Sequence, residues 1–117
     1  MRMDKLTSRL QTALSDAQSI AIGKDHNFIE PVHLIQALLD QEGSSVASLL
    51  QQAGVDSAAL RKNITQQIEL LPQVQGSDGD IHMSNDLGRL LNKADKLSQQ
   101  HQDQFISSEL VLLAALD

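Results

Sequence analysis

Cysteine, tryptophan and tyrosine are missing from these 117 residues, and two phenylalanines make up the whole aromatic complement. Without thiols there is no disulfide, no thiol chemistry and no thiolate metal site, and a reducing compartment suits such a chain. Without aromatics the core has to be built from Leu, Ile, Val and Ala, which pack at helical spacing and leave little to fill a β surface. Positive charge is scarce as well: nine Lys and Arg face fifteen Asp and Glu, a formal net charge of −6. An acidic chain with no basic, aromatic-interleaved patch repels phosphate backbones, which argues against nucleic acid as a partner. No apolar run approaches the ~20 residues of a membrane span, and the opening MRMDKLTSRL has no signal-peptide core. A cytoplasmic N-terminus and no membrane partner are therefore expected.

What is present reads as one all-α domain. Leu6, Leu10, Ala13, Leu14, Ala17, Ile20 and Ala21 form one helical stripe, with Thr7 as N-cap and Gly23 as the stop. Pro31 opens a short second helix, 31–40. After the break QEGSS, Val46, Leu49, Leu50 and Ala53 make a third helix closed by Gly54. Asp56 caps a fourth, striped by Leu60, Ile64, Ile68 and Leu71 and ended by Pro72. Residues 72–83, PQVQGSDGDIHM, have no period and read as a linker. A helix resumes after Ser84 with Leu87, Leu90, Leu91, Ala94 and Leu97, and Ser107 caps a last helix, 108–116.

The chain repeats itself. FIEPVHLIQALLD begins at Phe28 and FISSELVLLAALD at Phe105, an offset of 77 positions. At the same offset Thr7 meets Ser84, Leu10 meets Leu87, Leu14 meets Leu91 and Ala17 meets Ala94, with no gap over 34 positions. Two unrelated amphipathic helices would share a stripe, but not caps, loop length and the Phe-Ile pair together. The expectation is a pseudo-twofold tandem repeat. Repeat one spans 1–71, the linker 72–83, and an incomplete repeat two 84–117. The chain stops on a helix that is apolar almost all round, which reads as a fragment of something longer.

With these segments in view, LTSRLQTALSDAQSIAIGKDHNFIEPVHLIQALLDQEGSSVASLLQQAG resembles the Clp N-terminal repeat, and the stretch from LPQVQG to the end resembles the N domain of the ClpB disaggregase family. The resemblance covers nearly the whole chain. It implies a mobile domain that weakly engages exposed hydrophobic stretches of unfolded or aggregated polypeptides. The homohexameric AAA+ motor, its ATP and magnesium, and the DnaK chaperone system would belong to the rest of such a protein. A G-x-x-x-x-G-K-[ST] loop is absent here, so no cofactor is expected in these residues. The other implied reading is an adaptor- or partner-docking N domain, as in ClpA, ClpC or the type VI secretion unfoldase.

Five residues stand out as substrate-binding candidates. Thr7, Asp103 and Glu109 match polar positions that the resemblance links to substrate engagement, although a cap, a solvated loop acid and a first-turn glutamate explain them equally well. Leu91 and Leu110 are candidates for an exposed apolar groove, with the core as the plain alternative. The histidines, at 26, 33, 82 and 101, include no pair at i, i+3 or i, i+4, and no H-E-x-x-H occurs. No metal site is expected, and His33 reads as a hydrogen-bonded packing residue. No nucleophile with a base beside it is visible, so catalysis is not expected.

Overall fold

The computed structural model describes residues 3–41, 45–74 and 81–116. The first two residues, part of the QEGSS break, half of the 72–83 linker (75–80) and Asp117 lie outside these. A 3-10 turn at Met3–Lys5 precedes α1 (Ser8–Gly23), β1 (Phe28–Ile29), α2 (Pro31–Asp40), α3 (Val46–Gln52), α4 (Ser57–Leu70), β2 (His82–Met83), α5 (Asn85–Gln100) and α6 (Ser108–Leu116). The architecture is all-α apart from the two-residue strands. Two helix pairs dominate: α1 packs on α2, and α5 on α6. Helix α4 leans on α2, and α3 touches α6.

Local chemistry sets the helix starts. The hydroxyls of Thr7, Ser84 and Ser107 accept from the N–H groups of Leu10 (3.2 Å), Leu87 (3.0 Å) and Leu110 (3.3 Å). Each satisfies one of the orphan donors of a first helical turn. Asp56 caps α4 through Ala58 N–H at 3.0 Å. Gly54 closes α3 at φ +77°, a conformation that suits a residue with no Cβ. Gly23, expected to stop α1, is instead its last residue; the left-handed conformation falls to Asp25, φ +59°. A short Asp side chain tolerates that region, and the turn is closed by His26 N–H on Ala21 O at 2.9 Å. Gln102 has the same φ of +59°, and Asp103 N–H donates to Ser98 O at 2.8 Å.

The helix pairs are laced together by short parallel backbone contacts. Ile29 pairs with Met83, and Leu6 with Ile106. Ser84 N–H donates to Ile29 O and Thr7 N–H to Ile106 O, both at 3.0 Å, while Ile106 N–H returns to Lys5 O at 2.7 Å. Leu6 therefore precedes α1 rather than riding on its stripe. One continuous core takes Leu10, Ala13, Leu14 and Ala17 from α1, Leu34 and Leu38 from α2, Leu50 from α3, Leu87 and Leu91 from α5, and Ile106 and Val111. Helix α6 buries Leu110, Val111, Leu112 and Ala114, but leaves Leu113 41 % exposed.

Candidate functional site

The N-termini of α1 and α6 meet across the Thr7–Ile106 hydrogen bond, and a cleft of about 270 Å³ opens where they meet. Thr7, Ser8 and Arg9 form one wall; Ser107, Ser108 and Glu109 form the other. Two of the expected residues, Thr7 and Glu109, thus share one cleft although 102 positions separate them. The Thr7 hydroxyl is already committed to Leu10 N–H, so it lines the cleft as a capping group. Ser45, just ahead of α3, donates its hydroxyl to the Glu109 carboxylate. That hydrogen bond holds the Glu109 carboxyl below the usual carboxylate range, against the opposing effect of partial burial. Glu109 is therefore a fixed negative charge at neutral pH. Ser108 is 5 % exposed and its Oγ has no hydrogen-bond partner. A buried hydroxyl left unpaired costs about 1–3 kcal/mol, so this wall has an unfilled hydrogen-bonding position.

The other expected residues are elsewhere. Asp103 is exposed in the turn after α5, outside this cleft, and its backbone rather than its carboxylate makes the local contact. Leu91 and Leu110, expected as groove contacts, are 2 % and 6 % exposed and belong to the core cluster. Both sit where α5 and α6 face each other, so the pairing of those helices removes their surface. Their connection to the cleft is through the seating of α6.

His33 is the hydrogen-bonded packing residue expected, but two features were not anticipated, the first being its pairing with His26. His33 is fully buried and His26 is 6 % exposed, and His26 Nδ1 lies 2.9 Å from His33 Nε2. Glu30 N–H donates to His33 Nδ1 at 2.8 Å. With Nδ1 an acceptor, neutral His33 carries its proton on Nε2 and donates to His26. Burial, and then the neighbouring His26, push the His33 pKa down to about 4. Burial, and then Lys24, lower that of His26, with Asp25 and Glu30 opposing. Seven positions and a loop separate the two histidines, so no helical spacing could have signalled the pair. Among the described residues no group of three His, Cys, Asp or Glu side chains gathers as a metal ion would need. The second feature is a larger cleft, about 680 Å³, between the end of α2, α3 and α4.

Comparison with known proteins places these features in a family. Residues 5–117 match the family model described as Clp repeat (R) N-terminal domain. The chain is 60 % identical over all 117 residues to the chaperone protein ClpB of Pseudomonas putida, of which it spans 14 %. Among solved structures it resembles a complex of a ClpV N-domain with a VipB peptide, at 29 % identity and a TM-score of 0.82. That match covers 97 % of this chain and 68 % of that one. The Hsp104 N-terminal domain of Candida albicans shares the fold, with a TM-score of 0.84 at 20 % identity, over 97 % of this chain and 74 % of that one.

Proposed function

The chain belongs to the Clp repeat N-terminal domain family, and from that premise we propose that it is a peptide-docking domain whose site is the cleft between the N-termini of α1 and α6. These 117 residues hold the N-terminal domain and no ATPase module. The observation that carries the site is the wall of α6: the unpaired Ser108 hydroxyl beside the fixed Glu109 carboxylate, facing Thr7 and Arg9. A peptide backbone has donors and acceptors in register for such a wall, and a modest cleft yields the weak binding a module that passes on its cargo requires. Asp103, exposed at the other end of the α5–α6 turn, would extend the acidic rim. Leu91 and Leu110 would act from beneath by seating α6.

Two forms of this reading differ in what is docked. A defined partner segment is favoured by the similarity to the ClpV N-domain solved with a VipB peptide. Capture of unfolded or aggregated chains for a disaggregase is favoured by the 60 % identity to a ClpB chaperone. In the second form the hexameric AAA+ motor, ATP with magnesium, cooperation with DnaK and a cytoplasmic setting come with the longer protein. The paired backbone contacts support a pseudo-twofold relation between repeats. At the 77-residue offset, the Leu6–Ile106 bridge corresponds to Met83–Ile29, the Thr7–Ile106 bond to Ser84–Ile29, and the Asp25 turn to that of Gln102.

The test is fluorescence anisotropy with two labelled probes, a reduced and carboxymethylated unfolded protein and a short helical peptide, against the wild-type chain, Glu109→Ala and Ser108→Ala. Both variants should weaken whichever probe binds, with Ser108→Ala melting no earlier than the wild type because it removes a buried unpaired hydroxyl, and Glu109→Ala melting somewhat earlier for loss of the Ser45 hydrogen bond but remaining folded at the assay temperature. Wild-type affinity for both probes in both variants would remove this cleft from consideration, and the stronger probe decides between the two forms.

A further inference from the structure

The 680 Å³ cleft between α2, α3 and α4 shares no lining residue with the cleft at Thr7 and Glu109 and has its own chemistry. Its size falls within the ~300–1,000 Å³ range of ligand-sized clefts. The floor is apolar, from Leu39 and the buried Val46, and small side chains, Ala47 on α3 and Ala58 on α4, keep it open. Helix α4 is two-faced here. Ile64 and Ile68 turn into the protein, while Ala58, Lys62 and Thr65, about one turn apart, line the cleft from the neighbouring face.

The electrostatics run against the rest of the chain. In a molecule of net charge −6, no acidic side chain among the described residues lines this cleft, while Arg61 and Lys62 both do. Arg61 is committed: it pairs with the Asp40 carboxylate and donates to Leu39 O at 2.9 Å. Lys62 has no carboxylate partner among the described residues. Gln41, at the edge of the cleft, carries an unsatisfied acceptor. Gln41 Nε2 donates to Arg9 O at 2.8 Å, and its Oε1 is buried with no hydrogen-bond partner.

We infer that this cleft is a second docking surface, and that its occupant is an acidic, amphipathic helical peptide of a partner protein. Apolar residues one turn apart would lie over Leu39, Val46 and Ala47, as in other helix-in-groove interfaces. A carboxylate on the flank of that helix would meet Lys62. A phosphate ligand would leave the apolar floor uncovered, and a nucleic acid would meet the net negative charge of the whole domain.

The probe is a fluorescent peptide with leucines at i, i+4 spacing on one face and glutamates on the other. Its binding is read by anisotropy and by backbone amide shifts of the chain. The expected result is saturable binding, with shifts at Leu39, Ala47 and Thr65. Lys62→Glu should weaken it by about tenfold through like-charge repulsion, and Ala58→Trp, which fills the cleft from an exposed helical position, should abolish it. Ser108→Ala should leave it unchanged, which separates this surface from the cleft at Thr7. A peptide with lysines in place of the glutamates should not bind. The inference is overturned if the lysine peptide binds equally well, if Lys62→Glu and Ala58→Trp bind as the wild type while melting normally, or if the shifts map to Thr7 and Glu109.

Discussion

Acidification should unfasten this domain through one buried pair. His33 has no exposed surface, and both of its ring nitrogens are used, Nδ1 by Glu30 N–H and Nε2 by His26. A proton added to His33 would face the Glu30 N–H, and one added to His26 Nδ1 would face the proton His33 already donates. The folded His33 pKa is about 4, against 6.5 for a free side chain. Between those values the unfolded chain binds the proton and the folded one does not. Stability is therefore fully present above pH 6.5 and declines as the pH falls toward 4. From about pH 7.5 to about pH 5 the loss from His33 alone is about 2 kcal/mol, and His26, shifted the same way, adds to it. Carboxylates held below their usual range, such as Glu109 and Asp95, act in the same direction but at lower pH. The assay is urea denaturation followed by circular dichroism across this window. His33→Asn is the control, because its side-chain oxygen can still accept from Glu30 N–H but does not titrate. The variant should be less stable at neutral pH and have a flatter slope. Equal unfolding free energies for the wild type at the two pH values, or an unchanged slope in His33→Asn, would refute the reasoning.

Three further outcomes follow from packing and backbone geometry. Leu14→Ala, which removes a 6 % exposed side chain from the core, should cost about 2–5 kcal/mol, while exposed Asp16→Ala should change the melting temperature little. Asp16 is a better control than Gln11, whose side chain donates to Leu6 O. Leu110→Gln should melt early, since burying an unpaired amide costs about 1–3 kcal/mol in addition to the lost packing; a native melting curve would mean that α6 opens there. Gln102→Gly, at φ +59°, should raise stability by up to about 1 kcal/mol, and a drop would mean the left-handed turn is not strained.

Much of the fold was legible because its signals are local. Thr7, Asp56, Ser84 and Ser107 each cap a helix within three residues of themselves, and a stripe such as Leu10–Leu14–Ala17 declares its inward face without reference to the rest of the chain. The lacing of Leu6 to Ile106 and Ile29 to Met83 was not legible, because two-residue strands have no period to read. A stripe also says which side of a helix is apolar, not what covers it: Leu91 and Leu110 read as groove candidates until α5 and α6 were seen to face each other. Thr7 and Glu109 were singled out through family resemblance, and only the fold supplies the reason they share a cleft. The α3–α4 cleft left no sequence signal, since it is made by what Ala47 and Ala58 lack.

The clasp between Leu6 and Ile106 also dictates when the domain can be finished. Its partners are a hundred residues apart. Closing a loop of that length costs about 1.4 kcal/mol more than closing one of twenty residues. The helix pairs α1–α2 and α5–α6, joined by short turns, would therefore form first, with the clasp closing late. During synthesis the first pair emerges while its closing partner is still unmade, so Leu6 waits uncovered until Ile106 has left the ribosome. A slowed translation of the segment after α5 would lengthen that wait and expose the growing chain to association.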